Sequence, residues 1–203
     1  MQKIVKLLYP NLNFLHHQNP FKQLSGIYLA ICAFDDFQTS ESGEQHSPGL
    51  HLAEQLATKW LPNGSEFKVY RKESGQPYGR INSEEVGVSI AHSKSHLFAG
   101  INKFGNIGVD LEPVDRKVHS GLAARIRCAN DIGCENLEVV RMWTIKEAAL
   151  KWQGTGLRYP MKLVKIIRNS DDHFTINIEN KSARLISLRY HEYWIAVATD
   201  DIR

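Results

Sequence analysis

The alternation of apolar and polar residues predicts strands and one helix in the first half of the chain. Apolar residues that alternate with polar ones are typical of strands, whereas apolar residues spaced three and four apart indicate a helix. Clusters of Gly, Pro, Ser and Asp mark the turns between them. The pattern predicts, in order, a strand at residues 25–34, a loop at 35–49, a helix at 50–61, a strand that runs into a turn at 66–79 and a hairpin at 84–101.

The second half of the chain again shows strands, a helix and strands in that order. A strand is predicted at residues 106–114 and a helix at 140–152. The four strands expected after this helix should close an antiparallel sheet, and they lie at residues 162–168, 173–180, 183–191 and 193–200. The pattern as a whole predicts an α+β fold.

The helix predicted at residues 140–152 is apolar on nearly every side, yet it contains Lys146, Glu147 and Lys151. A helix that is apolar all round is normally buried. Because an unpaired charge is costly to bury, these three side chains need partners elsewhere in the fold. Glu147 and Lys151 are four residues apart and share one face of the helix.

The strand predicted at residues 106–114 carries two further charges on one face. Its side chains alternate in direction, so Asp110 and Glu112 point to the same side. Neighbouring carboxylates repel each other unless a cation lies between them, and carboxylate oxygens suit Mg²⁺. Each pattern by itself is more typical of a solvated surface. Together, with Glu147 as a third carboxylate, they are consistent with a magnesium site at which Lys151 meets phosphate.

The composition narrows the class of protein without identifying a ligand. The chain has 203 residues, of which 42% are hydrophobic, and this is enough for an ordinary globular core. No apolar run reaches the length of a membrane helix, and the first residues do not form a convincing signal peptide. The net charge of +3 is scattered along the chain, and no nucleic-acid-binding motif is evident. We therefore expect a cytoplasmic protein that binds neither membrane nor nucleic acid.

Two motifs in the second half resemble a known family. The stretch "IGVDLE" at residues 107–112, followed by "WTIKEAALK" at residues 143–151, is similar to the signature of the 4′-phosphopantetheinyl transferases of the larger, monomeric type. The stretches "SGQPYG" at residues 74–79 and "SIAHS" at residues 89–93 extend the resemblance, as does the last predicted strand. The resemblance thus covers the chain from about residue 74 onward.

This resemblance implies a fold and an activity. The fold would be a pseudo-twofold pair of similar α+β subdomains, residues 1–105 and 106–203, with the active site in the cleft between them. The protein would be a monomeric enzyme, a holo-[acyl-carrier-protein] synthase. It would transfer the 4′-phosphopantetheine group of coenzyme A to a serine of an apo acyl or peptidyl carrier protein, with coenzyme A as donor substrate and Mg²⁺ as cofactor.

The resemblance also implies roles for single residues. Asp110, Glu112 and Glu147 would hold Mg²⁺. Glu147 and Lys151 would be catalytic, Glu147 as a proton acceptor and Lys151 as the cation that offsets charge on the diphosphate. The residues expected to bind coenzyme A are Gln76, Pro77, His92, Ser93, Lys146 and Lys151.

The sequence departs from the family pattern around the nucleotide. Gln76 stands where a lysine is usual and Ala91 where a serine is usual, and no lysine or arginine lies between Lys22 and Lys59. These losses predict weak discrimination between coenzyme A and its 3′-dephospho form. They also leave an alternative open, a catalytically degenerate relative that binds coenzyme A or a carrier protein without turnover.

Overall fold

The computed structural model describes residues 12–15, 17–33, 48–61 and 65–200. These residues form an α+β fold with two antiparallel sheets and few helices, as the sequence pattern predicted. The helices within these ranges are α1 Pro48–Trp60, α2 Leu122–Ile126 and α3 Val139–Gln153, with short 3-10 helices at Phe21–Gln23, Gly156–Arg158 and Met161–Leu163. None of the helices described is both long enough and apolar enough to cross a membrane.

The first sheet has six strands and carries α1 on one face. Its strands lie in the order β1-β2-β6-β5-β4-β3. The apolar side of α1, including Leu52 and Leu56, packs against Val88 of β5 and against Leu97 and Ile101 of β6. The strand bounds are β1 Asn13–Phe14, β2 Ile27–Ala33, β3 Phe67–Arg71, β4 Pro77–Ile81, β5 Glu84–His92 and β6 His96–Asn102.

The second sheet has five strands and carries α3. Its strands lie in the order β7-β11-β10-β9-β8, so the first and last strands in sequence are neighbours. Met142, Ile145 and Leu150 of α3 are fully buried against residues such as Ile176 and Ala198 of the sheet. The strand bounds are β7 Ile107–Pro113, β8 Lys165–Arg168, β9 His173–Ile178, β10 Lys181–Tyr190 and β11 Tyr193–Asp200.

A third apolar cluster joins the two sheets. Leu29 and Phe98 of the first sheet pack with Val109 and Leu111 of β7. Beside this cluster, the Val109 N–H donates a hydrogen bond of 2.9 Å to the Ser89 hydroxyl oxygen of β5. Since side chains alternate along a strand, β7 turns its apolar residues toward the first sheet and its acidic residues toward α3.

Most of the predicted elements are present, with shifted ends. The strand expected at residues 25–34 is β2, and the helix expected at 50–61 is α1. Residues 66–79 contain β3 and the start of β4, so one predicted strand is in fact a hairpin. The loop expected at 35–49 lies outside the described residues, except for its last two, which begin α1. The pseudo-twofold relation and the boundary at residue 105 stay predictions.

The helix α3 lies directly against β7 at Gly108. A Cβ atom placed on Gly108 would come within 1.9 Å of the Ala148 carbonyl oxygen and 2.4 Å of the Trp152 amide nitrogen. Glycine is used where another backbone approaches a strand this closely. This contact therefore sets how near the polar side chains of α3 come to the acidic side chains of β7.

We predict that Gly108→Ala lowers the free energy of unfolding, because the added methyl group forces α3 away from β7. Overpacking of this kind costs about 1–3 kcal/mol or more, and urea unfolding followed by circular dichroism would measure it. Gly121→Ala is the matched control, because its nearest neighbour would be the His119 Nδ1 at 3.4 Å. A Gly108→Ala protein as stable as this control would contradict the close contact.

Candidate metal centre and adjoining cavity

Three carboxylates converge where α3 meets β7. Asp110 and Glu112 project from β7, and Glu147 projects from α3. One oxygen from each of the three lies within 4.8 Å of the others. The strand spacing predicted that Asp110 and Glu112 share a face, and the structure brings Glu147 to that face.

Two cations accompany these carboxylates. The Lys151 ammonium lies 2.8 Å from Asp110 Oδ1 and 3.6 Å from Glu147 Oε1. The Arg116 guanidinium forms an ion pair with Glu112, and it also lies over the Trp143 ring, 5.0 Å from the ring centre. The three negative charges are therefore only partly offset by protein cations.

Burial changes the acidity of the cluster. It raises the pKa of Asp110 to about 8. The Lys151 charge opposes this effect, and the charges of Glu147 and Glu112 reinforce it. Burial also raises the pKa of Glu112, against the opposing charge of Arg116. Burial alone would lower the pKa of Lys151, but the Asp110 and Glu147 carboxylates raise it. Near neutral pH, Asp110 thus holds a proton that a cation would have to displace.

The cluster fits a divalent cation with oxygen ligands. Asp110 is 3% exposed, and within the described residues its Oδ2 atom is buried without a hydrogen-bond partner. A buried oxygen without a partner is costly, and a bound cation would satisfy it. Two or three carboxylates with room for water and phosphate are the ligands that Mg²⁺ takes in proteins.

A cavity of about 530 Å³ adjoins the cluster. One wall is the turn at residues 74–77 and the other is the end of α3 with residues 154–158, while Val88, Ser89 and Ile90 of β5 lie between them. Lys151 belongs both to this wall and to the carboxylate cluster. The cavity and the cluster therefore form one continuous site.

Apart from Lys146, the predicted coenzyme A ligands fall into two groups by position. Gln76, Pro77 and Lys151 line the cavity, and the Gln76 side-chain amide donates a 3.3 Å hydrogen bond to the Lys151 carbonyl oxygen. His92 is exposed at the end of β5, and the Ser93 hydroxyl accepts a hydrogen bond from the His96 N–H. Neither His92 nor Ser93 is among the residues that line the cavity, and their part in binding stays a prediction.

The structure places Lys146 away from the cluster, which corrects its sequence-based assignment to coenzyme A. Its side chain is fully buried. The ammonium donates to Asp131 Oδ2 at 3.2 Å and to the carbonyl oxygens of Met161 at 3.3 Å and Val164 at 2.8 Å. These bonds attach α3 to the chain that leads into β8, so Lys146 is a structural residue.

Four residues that matter here were not singled out from the sequence. Arg116 follows Glu112 by four residues, a spacing that could have suggested a pair. Ser89 begins the stretch "SIAHS", which carried part of the resemblance, but no role was expected for this residue. Asp131 and Arg158 lie in stretches without apolar periodicity, where the sequence offers no signal for what they contact.

A carboxylate cluster beside a cavity of substrate size is an arrangement found in enzymes that use a divalent metal ion on phosphate-containing substrates. Comparison with family models is more specific. Residues 106–198 match the model described as the 4′-phosphopantetheinyl transferase superfamily. This is the family that the two motifs predicted, and the matched segment contains both of them. The match contains the three carboxylates and Lys151, whereas the turn at residues 74–77 lies outside it. Among curated proteins, no match to the chain was found.

We predict that Lys146→Met destabilises the protein without weakening coenzyme A binding by the folded form. Removing one partner of a buried ion pair typically costs about 3–5 kcal/mol, because the Asp131 carboxylate is left without its counter-charge. Urea unfolding measures the loss, with the exposed Lys165→Met as the matched control. Unchanged stability together with lost coenzyme A affinity would return Lys146 to the binding site.

Proposed function

We propose that this protein transfers the 4′-phosphopantetheine group of coenzyme A to a serine hydroxyl of an apo acyl or peptidyl carrier protein, in a reaction that depends on Mg²⁺. The match of residues 106–198 to the superfamily model supports phosphopantetheine transfer in general. The donor, the carrier protein, the metal, the monomeric state and the cytoplasmic location are all part of this proposal, as is the assignment of holo-[acyl-carrier-protein] synthase activity.

The observation that carries the proposal is that Lys151 both contacts the carboxylates and lines the cavity. Its ammonium contacts Asp110 and Glu147, and the same residue lines the cavity. A diphosphate extending from the cavity would thus meet a cation and the carboxylate cluster together. The cavity volume also falls within the usual range for small-molecule sites, about 300–1,000 Å³.

The chemistry that this chain's residues would supply is mainly positioning and charge compensation. In phosphoryl transfer a protein contributes little covalent chemistry and instead orients groups and offsets charge. The serine oxygen would form a bond to the phosphorus that bears the pantetheine arm. The bond from that phosphorus to the bridging oxygen would break, releasing adenosine 3′,5′-bisphosphate. Lys151 would offset charge on the departing phosphate oxygens.

The serine proton needs an acceptor, and Glu147 is the candidate on α3. A bound Mg²⁺ would act as a Lewis acid on the diphosphate and hold it in place. A carboxylate attached to a cation loses proton affinity. Glu147 is therefore a stronger candidate for a metal ligand than for a general base. Asp110 and Glu112 would serve as ligands only.

The decisive test is transfer to carrier proteins. We expect the protein with Mg²⁺, coenzyme A and a panel of apo carrier proteins to add phosphopantetheine to at least one of them, as detected by intact-protein mass spectrometry. Asp110→Ala and Glu147→Gln should each lower the rate by roughly 100-fold or more, because each removes a direct ligand and even outer partners of a metal are worth about 10–100-fold.

The control for this test is Glu135→Gln, which removes an exposed carboxylate from the same matched segment and should leave transfer unchanged. Full transfer in excess chelator would contradict the metal assignment. Tight binding of coenzyme A without transfer to any carrier protein would favour the alternative, a relative that binds without turnover.

A second prediction concerns the pH dependence of metal binding. Because burial raises the pKa of Asp110 to about 8, a cation must displace a proton from Asp110 at any lower pH. The affinity for Mg²⁺ should therefore rise by up to about tenfold per pH unit between roughly pH 6 and pH 8 and level off above that range. Calorimetry in two buffers of different ionisation enthalpy would count the protons released.

Asp110→Asn is the matched variant for this measurement, because the amide keeps the shape of the side chain but carries no proton to displace. Its residual Mg²⁺ affinity should vary little with pH over the same range. An unmodified protein that binds Mg²⁺ equally well at pH 6 and pH 8 would show that the metal displaces no proton from Asp110.

A further inference from the structure

The cavity contains two cationic lining residues, and their charges are not equally available. Lys151 is paired with the carboxylates of Asp110 and Glu147. Arg158 lies on the same wall, in the segment that follows α3. In the part of the chain that the structure describes, no carboxylate forms an ion pair with Arg158, so its charge is not neutralised there.

The hydrogen bonds of Arg158 go to backbone oxygens. Its Nε donates to the Thr155 carbonyl at 3.3 Å, and one terminal nitrogen donates to the Ser74 carbonyl at 3.1 Å. A guanidinium has five N–H donors, and these two bonds use two of them. Arg158 is exposed, so its remaining donors and its positive charge are available to a ligand that enters the cavity.

The backbone after α3 explains how Arg158 reaches this place. Gly154 ends the helix in the left-handed conformation, with φ of 88°, and Gly156 again has a positive φ of 56°. Such angles are easy for glycine and costly for other residues. The chain therefore turns back twice, and the Arg158 side chain spans the distance to Ser74 on the opposite wall.

The turn at residues 74–77 contributes no cation to the lining of the cavity. Arg71 donates a 3.0 Å hydrogen bond to the Gly75 carbonyl, but it is not among the lining residues. Gln76 is neutral, and its side-chain amide is bonded to the Lys151 carbonyl. Arg158, in the segment that follows α3, thus supplies a positive charge that the neutral Gln76 of the turn does not. Arg158 contacts Ser74 of the turn, whereas Lys151 contacts the carboxylates, so the two cations have different partners in the site.

We infer that Arg158 is a specificity-determining residue that binds the phosphate group of the donor that is remote from the reacting diphosphate, and so sets a preference for coenzyme A over its 3′-dephospho form. The inference rests on the proposed function. It also revises the expectation of weak discrimination, which considered only the losses at Gln76, Ala91 and the segment between Lys22 and Lys59. Arginine suits this role because its planar fork matches phosphate oxygens.

Calorimetric titration of both nucleotides tests the inference without any need for turnover. The unmodified protein with Mg²⁺ should bind coenzyme A more than about tenfold tighter than 3′-dephospho-coenzyme A, since one charge-assisted contact to phosphate is worth about that factor or more. Arg158→Gln should weaken coenzyme A by about tenfold and leave the 3′-dephospho form within about twofold. Arg158→Lys, which keeps the charge but not the fork, should fall between.

The matched control is Arg189→Gln, which removes an arginine from an exposed ion pair with Glu192 on β10 and should change neither affinity. Equal weakening of both nucleotides by Arg158→Gln would overturn the inference, because the residue would then only link the walls through Ser74. Unchanged coenzyme A affinity in Arg158→Gln would overturn the inference but not the proposed function. If the unmodified protein binds neither nucleotide, the proposed function fails and the inference fails with it.

Discussion

Repulsion among Asp110, Glu112 and Glu147 is the constraint on which the site depends. Their oxygens lie within 4.8 Å of one another, where two ionised carboxylates repel by about 3 kcal/mol at an effective dielectric constant of 20. The close approach of α3 to β7 at Gly108 brings them together, and the buried apolar side chains of α3 oppose a shift of the helix that would separate them. The fold thus holds together groups that would separate in water.

The protein offsets this repulsion in three ways. Lys151 pairs with two of the carboxylates and Arg116 with the third. The pKa of Asp110, raised to about 8 by burial, lets that group stay protonated at neutral pH. Together, two cations and one proton balance the three carboxylates at neutral pH. A divalent cation would replace the proton on Asp110 and satisfy its Oδ2 atom, which is buried without a partner in the described residues.

The part of the site that could be predicted from the sequence follows from local periodicity. The period of two places Asp110 and Glu112 on one side of β7, and the period of 3.6 places Glu147 and Lys151 on one side of α3. Lys146 was misjudged because neighbouring helical residues point about 100° apart, so it faces away from Glu147.

The rest depended on contacts between distant segments. The buried partner of Lys146 is Asp131, in a stretch without periodicity. The pairing of β7 with β11 brings together the first and last strands of the second sheet in sequence. It is likewise set by tertiary packing and has no local signal. The hairpin of β3 and β4 was missed because Gly79 and the polar residues around it interrupt the alternation that marks a strand.

The two walls of the cavity differ in how firmly the protein holds them. The wall that contains the end of α3 is held by the close packing at Gly108 and by the three hydrogen bonds of the Lys146 ammonium. The turn at residues 74–77 is joined to this wall by two hydrogen bonds, from Gln76 to the Lys151 carbonyl and from Arg158 to the Ser74 carbonyl. Each is worth about 1 kcal/mol net. Displacing the turn from α3 breaks these two bonds, whereas displacing the helix breaks its buried packing and the bonds of Lys146. The less firmly held side of the cavity is the one that lies outside the family match.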